Sequence, residues 1–339
     1  MSFIIIITLY LVTSTILKIS LKYFKNPALL DIPTERSNHG KPTPKGAGII
    51  LIPLVIIASL LVFFLERILE NYWLSIFGFC IILTILSLLD DLKNINFGIR
   101  LIFQIFCVLS SLFLFKDQLG IYQQSLDFFI FNEISMFESF IIVLTLTIVW
   151  VWIINMFNFM DGMDGITVVQ VSSLTILTNL LAILGLVEIH FLYFSLILLT
   201  VLLAFYSVNK PPAKIFLGDV GSIPIGFLVG FIIIYNTVIA DIIIPFLIIM
   251  MYYLLDSIVT IFIRFLNKEN IFKAHSSHFY QKVLRKGYDH KYVLKRIVYL
   301  NIILLFLAIL SVYLPILSSL LALVSTSFLL LFFNSRKLK

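Results

Sequence analysis

Charged residues are scarce in this sequence. They make up 12% of its 339 residues, and hydrophobic residues make up 61%, whereas about a quarter of the residues of a soluble domain are charged. This composition excludes an ordinary soluble globular protein and indicates a membrane protein. Cysteine is nearly absent as well. Both cysteines, Cys80 and Cys107, lie within apolar segments, where small buried side chains are a better interpretation than a disulfide or metal ligands.

Long apolar segments occur along the whole chain. A helix needs about 20 mostly apolar residues to span a bilayer, and we count eleven segments that approach this length. The sequence therefore predicts an all-α polytopic integral membrane protein, with about eleven transmembrane helices in a single domain, residues 1–339. The segments are residues 2–19, 47–65, 73–89, 101–115, 139–156, 166–184, 189–205, 221–238, 242–263, 297–314 and 317–333.

The positions of the basic residues predict how these helices are oriented. If the N-terminus lies outside, 22 of the 24 Lys and Arg residues fall in cytoplasmic segments, and only Arg67 and Lys116 fall outside. Basic residues accumulate on the cytoplasmic side of membrane proteins, so we expect an outside N-terminus and a cytoplasmic C-terminus. The same rule explains the net charge of +6 without nucleic-acid binding. Because Lys18 follows the first apolar segment and no basic residue precedes it, a retained anchor is favoured over a cleaved signal peptide.

Five aspartates fall at one depth on the predicted cytoplasmic side. Taken singly, each is equally well explained as a solvated loop residue. As a group they are harder to explain in this way, because the stretch NFMDGMDG contains no base and adjacent carboxylates repel each other unless a cation is near. The five are Asp90, Asp91, Asp161, Asp164 and Asp219.

The glycines beside these aspartates indicate phosphate and magnesium sites. In DGMDGI (161–166) and IFLGDVGS (215–222), glycines flank aspartates just before an apolar helix. The start of a helix offers free N–H groups and a positive dipole end to a phosphate, and glycine permits close backbone approach. Each motif alone is a weak signal, because Asp is also a common N-cap. Together they favour Mg²⁺ held by one or two carboxylates and completed by phosphate oxygens.

Two other cytoplasmic loops contribute bases. SNHGKPTPKGAG (37–48) contains His39, Thr43 and Lys45, and AHSSHFYQK (274–282) contains His275 and His278. Histidines together with aspartates could instead bind zinc. No cysteine lies in these loops, so phosphate binding is favoured over a zinc site.

Asp256 is a separate case because it lies inside the apolar segment 242–263. An ionisable residue within the bilayer is a candidate for function. Arg264, two turns further on, is a candidate partner, and a buried polar pair that holds helices together is an equally good interpretation. His190 lies near the outer side and is interpreted as structural.

The predicted arrangement suits phosphoryl transfer at the level of the lipid headgroups. A phospholipid acceptor would place its phosphate at this depth while its tail stays in the bilayer, and Mg²⁺ would neutralise charge on a nucleotide-activated donor. A nucleotide-sugar transporter is the rival hypothesis, because glycine-broken helices and intramembrane acids also mark transporters. A transporter should bind its substrate near mid-bilayer, whereas these acids gather at one face. A structural scaffold has no use for such a cluster.

Several stretches resemble the polyprenyl-phosphate N-acetylhexosamine-1-phosphate transferases of glycosyltransferase family 4. That family includes the enzymes that start O-antigen and teichoic-acid chains and the translocase of peptidoglycan synthesis. The stretches occur in the family's order and cover nearly the whole chain. They are DIPTERSNHGKPTPKGAGI, LLDDLKNINFGIRLIFQ, NMFNFMDGMDGI, IFLGDVGS, and LLDSIVTIFIRF followed by AHSSHFYQK.

The resemblance implies a catalytic domain whose site is built from the cytoplasmic loops 20–46, 90–100, 157–165, 206–220 and 264–296. By position, Asp219 matches a Mg²⁺ ligand, with Mn²⁺ as an alternative ion, and Asp90 and Asp91 match a pair beside the metal and the acceptor phosphate. Asn158 and Asp161 match residues near the nucleotide, and Phe216 matches an aromatic that stacks on uracil. His275 departs from the family pattern of adjacent histidines, and GAG stands where related enzymes have GGG. The implied catalytic residues are Asp90, Asp91, Asp219 and His278, and the implied metal ligands are Asp219, Asp90 and Asp91. The implied substrate-binding residues are Arg36, His39, Thr43, Lys45, Asn158, Asp161, Asp164, Phe216 and His275.

The resemblance also implies a reaction: transfer of an N-acetylated amino sugar 1-phosphate from a UDP-sugar to undecaprenyl phosphate, with release of UMP. DIPTERSNH and AHSSHFYQK are more similar to the O-antigen or capsule initiators than to the peptidoglycan translocase, which favours GlcNAc, QuiNAc or FucNAc as the sugar. Transfer of phospho-N-acetylmuramoyl-pentapeptide is the alternative. The expected location is the bacterial cytoplasmic (inner) membrane. The expected partners are the UDP-sugar, undecaprenyl phosphate and the lipid membrane, with no nucleic acid and with a homodimer left open.

Overall fold

The computed structural model describes residues 3–23, 30–33, 40–93, 95–114, 136–270 and 275–335. Helices dominate these ranges, which confirms the predicted all-α class. Two short antiparallel strands, β1 (Leu30–Asp31) and β2 (Thr43–Pro44), pair with each other. The helices are α1 (Phe3–Ser20), α2 (Gly48–Leu65), α3 (Asn71–Lys93), α4 (Phe97–Leu114), α5 (Met136–Met160), α6 (Ile166–Ile183), α7 (Ile189–Asn209), α8 (Asp219–Ala240), α9 (Ile244–Ile249), α10 (Met251–Leu266), α11 (Phe279–Arg285), α12 (His290–Leu310) and α13 (Pro315–Ser335).

Nine helices in the described ranges are long and apolar enough to cross a membrane. They are α2 to α8, α12 and α13, and they confirm a multi-pass membrane protein. Two of the eleven predicted segments differ from this pattern. The predicted segment 2–19 corresponds to α1, whose apolar part Ile4–Ser20 is shorter than the nine, and the segment 242–263 is divided between α9 and α10.

The segment 242–263 is divided by a side chain from another helix. Gln170 of α6 is fully buried, and its Nε2 donates to the backbone carbonyl of Ile249 at 2.8 Å. In an uninterrupted helix that carbonyl would accept the N–H of Tyr253, one turn later. An inserted side chain breaks the helical ladder at such a point. The segment's own sequence cannot predict the break, because the donor lies 79 residues earlier.

Helix α8 lies at the centre of the bundle, where close approach of α5 requires glycine. A Cβ at Gly226 would lie 2.9 Å from Ile154 Cα, and a Cβ at Gly230 would lie 2.3 Å from Trp150 Cδ1. Small residues four positions apart commonly let membrane helices pack this closely. Trp150 Nε1 donates to Phe227 O across the contact at 2.9 Å.

Polar side chains mark both ends of α8. Near its C-terminal end, Tyr72 OH lies 2.9 Å from His190 Nε2. Glu188 Oε2 lies 3.1 Å from the same nitrogen and accepts the hydroxyl of Tyr235 at 3.3 Å. His190 is buried among aromatic rings, which agrees with a structural role. Asp219 begins the helix at the other end, about 24 Å from Tyr235 at 1.5 Å per residue.

Candidate active site

Loops from distant parts of the chain meet where α8 begins. The backbone of residues 44–48 is hydrogen-bonded to residues 216–217, with donor–acceptor distances of 2.8 to 3.2 Å. Gly218 has a φ of +75°, and a Cβ there would lie 3.0 Å from Gly46 N. Glycine is therefore required for this backbone conformation and close approach. The pairing holds the 44–48 segment beside Asp219.

Lys45 and Asp91 form an ion pair in this region. Lys45 Nζ donates to Asp91 Oδ1 at 2.7 Å, and only 10% of the Asp91 side chain is exposed. Burial would lower the pKa of Lys45, but the hydrogen bond and negative charge of Asp91 outweigh it, so the pKa is raised. Lys45 therefore stays protonated and can neutralise the charge of Asp91 or of a bound phosphate.

Arg100 of α4 joins Asp90 to Asp219. Its Nη1 lies 2.5 Å from Asp90 Oδ2 and 3.5 Å from Asp219 Oδ2, which keeps these two carboxylate oxygens within about 6 Å of each other. The other oxygen of Asp90 accepts the backbone N–H of Ile95 at 2.7 Å. Asp219 is the more open of the two acids, with 36% of its side chain exposed against 11% for Asp90.

Asp161 lies at the start of the DGMDG turn, beside the same charges. Its Oδ1 accepts the hydroxyl of Thr167 at 2.5 Å. Burial raises the pKa of Asp161 to about 8; the hydrogen bond from Thr167 opposes this rise and the charge of Asp219 adds to it. Burial therefore favours the protonated form of Asp161, which can donate to an anionic oxygen.

Asp164 ties the DGMDG turn to two other segments. Its Oδ1 lies 3.1 Å from His290 Nδ1, and its Oδ2 accepts the backbone N–H of Ala213 at 3.0 Å. The neighbouring Gly165, at a φ of +76°, donates its N–H to Asn209 Oδ1 at 2.9 Å. These contacts fix the turn between the ends of α7 and α12.

Two cavities meet at Asp219. The larger has a volume of about 970 Å³ and extends between α4 and α5 to Leu109 and Phe140, along mainly apolar walls. The smaller has a volume of about 280 Å³, and Lys45, Phe216 and His290 are among its lining residues. Both cavities share a wall made of Asn158, Asp161, Gly162, Asp219 and Gln281.

The structure brings most of the predicted site residues together, with few exceptions. His275 lines the larger cavity, and its ring centroid lies 5.1 Å from that of His278. Thr43 lines neither cavity; its hydroxyl donates to a backbone carbonyl two residues earlier at 3.0 Å. Asp90 lines neither cavity and contacts the site through Arg100. Arg36 and His39 lie outside the described residues.

Three residues that the sequence did not single out belong to this region. Arg100 and His290 contact the predicted aspartates, and the Tyr280 hydroxyl accepts Gly162 N at 3.1 Å and donates to Phe159 O at 3.2 Å. Adjacent acids need a nearby cation, so the Asp90–Asp91 pair was a signal for Arg100. No local pattern marks His290 or Tyr280.

The acids fit a magnesium ion that is completed by substrate. Within the described ranges, no group of three or more His, Cys, Asp or Glu side chains is placed to hold a metal. Mg²⁺ does not need one, because it is commonly bound by one or two carboxylates together with phosphate oxygens and water. Asp219 fits this requirement, since it is open and faces both cavities. Asp90 fits less well, because both of its oxygens already accept from protein donors.

The helical bundle and its two adjoining cavities define a multi-pass membrane protein with an acid-and-base site at one end. Residues 73–237, just under half of the chain, match the family model described as glycosyl transferase family 4. The sequence motifs predicted the same family. The family implies an enzyme that acts on a polyprenyl phosphate and a nucleotide sugar. A relative from Bacillus subtilis (strain 168), described as "Probable undecaprenyl-phosphate N-acetylglucosaminyl 1-phosphate transferase", is 25% identical over 292 residues, which cover 84% of this chain and 77% of that protein.

Proposed function

We propose that this protein is a Mg²⁺-dependent transferase of the bacterial cytoplasmic membrane, with one transmembrane catalytic domain. It transfers an N-acetylated amino sugar 1-phosphate from a UDP-sugar to undecaprenyl phosphate and releases UMP, which starts an O-antigen or another envelope polysaccharide. The observation that carries this proposal is the shared wall between a long apolar cavity and a small polar one. Such a wall lets a lipid phosphate and a nucleotide diphosphate meet at Asp219.

The larger cavity supports a lipid acceptor. From Asn158 to Phe140 its wall follows α5 for about 27 Å, at 1.5 Å per residue, which is close to the thickness of a bilayer's hydrocarbon core. An isoprenoid tail would lie along this apolar wall. Its phosphate would reach Asp219 and Arg100 at the end where the two cavities meet.

The smaller cavity supports a nucleotide. Phe216 offers an aromatic ring, a surface on which a base can stack. Lys45 offers a cation, and Asp164 with His290 offers hydrogen-bonding groups. A diphosphate that extends from this cavity toward the shared wall would reach Asp219.

In phosphoryl transfer the protein mainly positions the substrates and stabilises charge, and it does little covalent chemistry of its own. An oxygen of the lipid phosphate attacks the phosphorus that carries the sugar, the bond from that phosphorus to the UMP oxygen breaks, and UMP leaves with the electron pair. Lys45 and Arg100 would hold phosphate oxygens and offset their charge. Asp161, whose protonated form is favoured by burial, would donate to an oxygen that a carboxylate would repel.

Asp219 and Asp91 would hold Mg²⁺ together with phosphate oxygens. When bound there, the ion would neutralise charge on the diphosphate and on the departing UMP. Asp90, whose oxygens are both occupied, would instead hold Arg100 in place. Its predicted role as a metal ligand remains a prediction.

A panel of radiolabelled UDP-sugars tests the function. Purified protein would be supplied with undecaprenyl phosphate, Mg²⁺ and UDP-GlcNAc, UDP-QuiNAc, UDP-FucNAc or the UDP-muramyl pentapeptide, and the lipid products extracted. We expect one amino sugar to give a lipid-linked sugar diphosphate and an equal amount of UMP. Product from the muramyl peptide alone would indicate the peptidoglycan translocase reaction instead.

Two outcomes would contradict the proposal. One is UDP-sugar binding without lipid product when undecaprenyl phosphate and Mg²⁺ are both present. The other is counterflow of labelled UDP-sugar across liposomes that lack polyprenol, because exchange without an acceptor is the behaviour of a transporter.

Filling the larger cavity should weaken acceptor binding selectively. Val151 of α5 lines this cavity, and Val151→Trp should raise the KM for undecaprenyl phosphate about tenfold, since displacing two buried methylene groups of the tail already costs about 1.6 kcal/mol. The KM for the UDP-sugar should change little. Steady-state kinetics with each substrate varied in turn would measure both constants.

Val149→Trp is the matched control for this prediction. Val149 lies two residues away on the same helix, is exposed, and does not line the cavity. A tryptophan there should leave both KM values unchanged. Equal effects of the two substitutions, or an effect of Val151→Trp on the UDP-sugar alone, would show that the acceptor tail lies elsewhere.

A further inference from the structure

Asp256 is fully buried in α10, and its carboxylate has defined partners. Its Oδ1 lies 3.0 Å from His278 Nδ1 and accepts the backbone N–H of Phe279 at 3.1 Å. The hydroxyl of Thr260, one turn along the same helix, donates to the same oxygen at 3.2 Å. These donors join α10 to the start of α11, and two of the three come from the histidine loop.

Arg264 is not the partner that the sequence suggested for Asp256. It lies on the same buried face of α10, two turns further on, but its Nε donates to Glu269 Oε2 at 3.0 Å and its Nη2 donates to Asn270 O at 2.7 Å. Arg264 therefore fastens the C-terminal end of α10. Asp256 instead accepts hydrogen bonds from the histidine loop.

His278 is held so that one ring nitrogen faces the larger cavity. Only 2% of its side chain is exposed, and its backbone N–H donates to Gln281 Oε1 at 3.2 Å. Nδ1 lies against Asp256, whereas Nε2 is buried and has no hydrogen-bond partner among the residues the structure describes. His278 also lines the cavity that Asp219 and Asp161 close. Because buried polar atoms are normally hydrogen-bonded, an unpaired ring nitrogen in a cavity wall is a candidate to bind a ligand in that cavity.

We propose that Asp256 is a positioning residue for substrate phosphate, acting through His278. Asp256 accepts a hydrogen bond from Nδ1–H of His278. This bond keeps the proton of the neutral ring on Nδ1 and fixes the orientation of the ring, as carboxylate partners do for other functional histidines. Nε2 is thereby left to contact a phosphate oxygen at the shared wall, as a donor when both ring nitrogens carry protons. This inference rests on the proposed function, because it assigns the phosphate of that reaction as the ligand of Nε2.

A double-mutant cycle tests the inference. The variants are Asp256→Asn, His278→Gln and the pair, assayed for kcat and KM with the sugar that the panel identifies. Asp256→Asn should lower kcat about 10–100-fold, the usual loss when the partner that orients a functional histidine is removed. Adding it to His278→Gln should cause no further loss, because a residue that acts only through His278 has no effect once His278 is gone.

Ser257→Ala is the control within the same helix. Ser257 is also fully buried, but its hydroxyl donates to the backbone carbonyl of Leu254, in its own helix, at 3.1 Å. The variant should keep wild-type kcat. Each variant must elute as a single species with a melting temperature near that of the wild type; if Asp256→Asn does not, Asp256→Glu, which keeps the charge but moves the carboxylate, replaces it in the cycle.

Independent, additive losses in the double mutant would overturn the inference, because they would assign Asp256 a structural role of its own. An unchanged kcat in the Asp256 variant would overturn it equally. Neither result would contradict the proposed function, which is tested by product formation with the wild-type protein. A wild-type protein that makes no lipid-linked product with any sugar would remove the function itself.

Discussion

Asp219→Asn should reduce formation of the lipid-linked product about 100-fold or more. The substitution keeps the size of the side chain and removes one negative charge at the wall between the two cavities. Without that charge the site loses the carboxylate that we propose holds Mg²⁺, and Arg100 is left with Asp90 as its acidic partner. Losing one preorganised electrostatic group at a reacting centre typically costs about 10²–10³ in rate. Single-turnover formation of radiolabelled lipid from purified protein would measure the effect.

Asp241→Asn provides the control at the opposite end of the same helix. Asp241 caps the C-terminus of α8 in a left-handed conformation, with φ of 54°, which Asn also tolerates well. The same chemical change there should leave the rate unaltered. Asp219→Asn protein that retains more than half of the wild-type rate at saturating Mg²⁺ would show that this carboxylate is not part of the reaction centre.

Gly48→Ala should destabilise the protein and inactivate it. A Cβ at Gly48 would lie 2.3 Å from Gly221 Cα, so the new methyl group would meet backbone that cannot rotate away. Overpacking of this kind costs about 1–3 kcal/mol in stability. Gly48 N also donates to Leu217 O, two residues before Asp219. Separating the two helices should therefore displace Asp219, and a shift of about 1 Å at a reacting centre can lower the rate about 100-fold.

Gly78→Ala is the matched control for this prediction. Gly78 lies inside α3, and a Cβ there would meet nothing within 4 Å. Since alanine favours a helix over glycine by about 0.5–1 kcal/mol, this variant should be as stable as the wild type or slightly more so. The midpoint of thermal unfolding in detergent, together with the transfer rate, would measure both effects. Equal stability and activity of the two variants would mean that α2 and α8 separate without consequence.

The membrane helices and the acids of the site were readable from the sequence because their signals are local. Apolar length alone predicts most spanning helices, and eight of the nine in the described ranges begin and end within four residues of a predicted segment. The convergence of Asp91, Asp161 and Asp219 was predicted from their shared depth and from motifs of a known family. Neither inference needed a tertiary contact.

The contacts that the sequence could not predict are those between residues far apart in the chain. The break between α9 and α10 depends on Gln170, which donates its hydrogen bond from another helix. Helical spacing made Arg264 a candidate partner for Asp256, but His278 of the histidine loop lies against that carboxylate instead. His290 gave no local signal, because its partner Asp164 lies 126 residues earlier. Spacing along a helix limits which residues share a face, and packing decides which of them meet.

The wall shared by the two cavities has a thermodynamic consequence for any pair of ligands bound there. Because Asn158, Asp161 and Asp219 face both spaces, a molecule in one space changes the charge and hydrogen bonding that the other space offers. The affinities of the two ligands are then linked, and the factor by which the first alters the second equals the factor by which the second alters the first. In the proposed reaction, bound acceptor would therefore change the affinity for the donor by the same factor as bound donor changes the affinity for the acceptor.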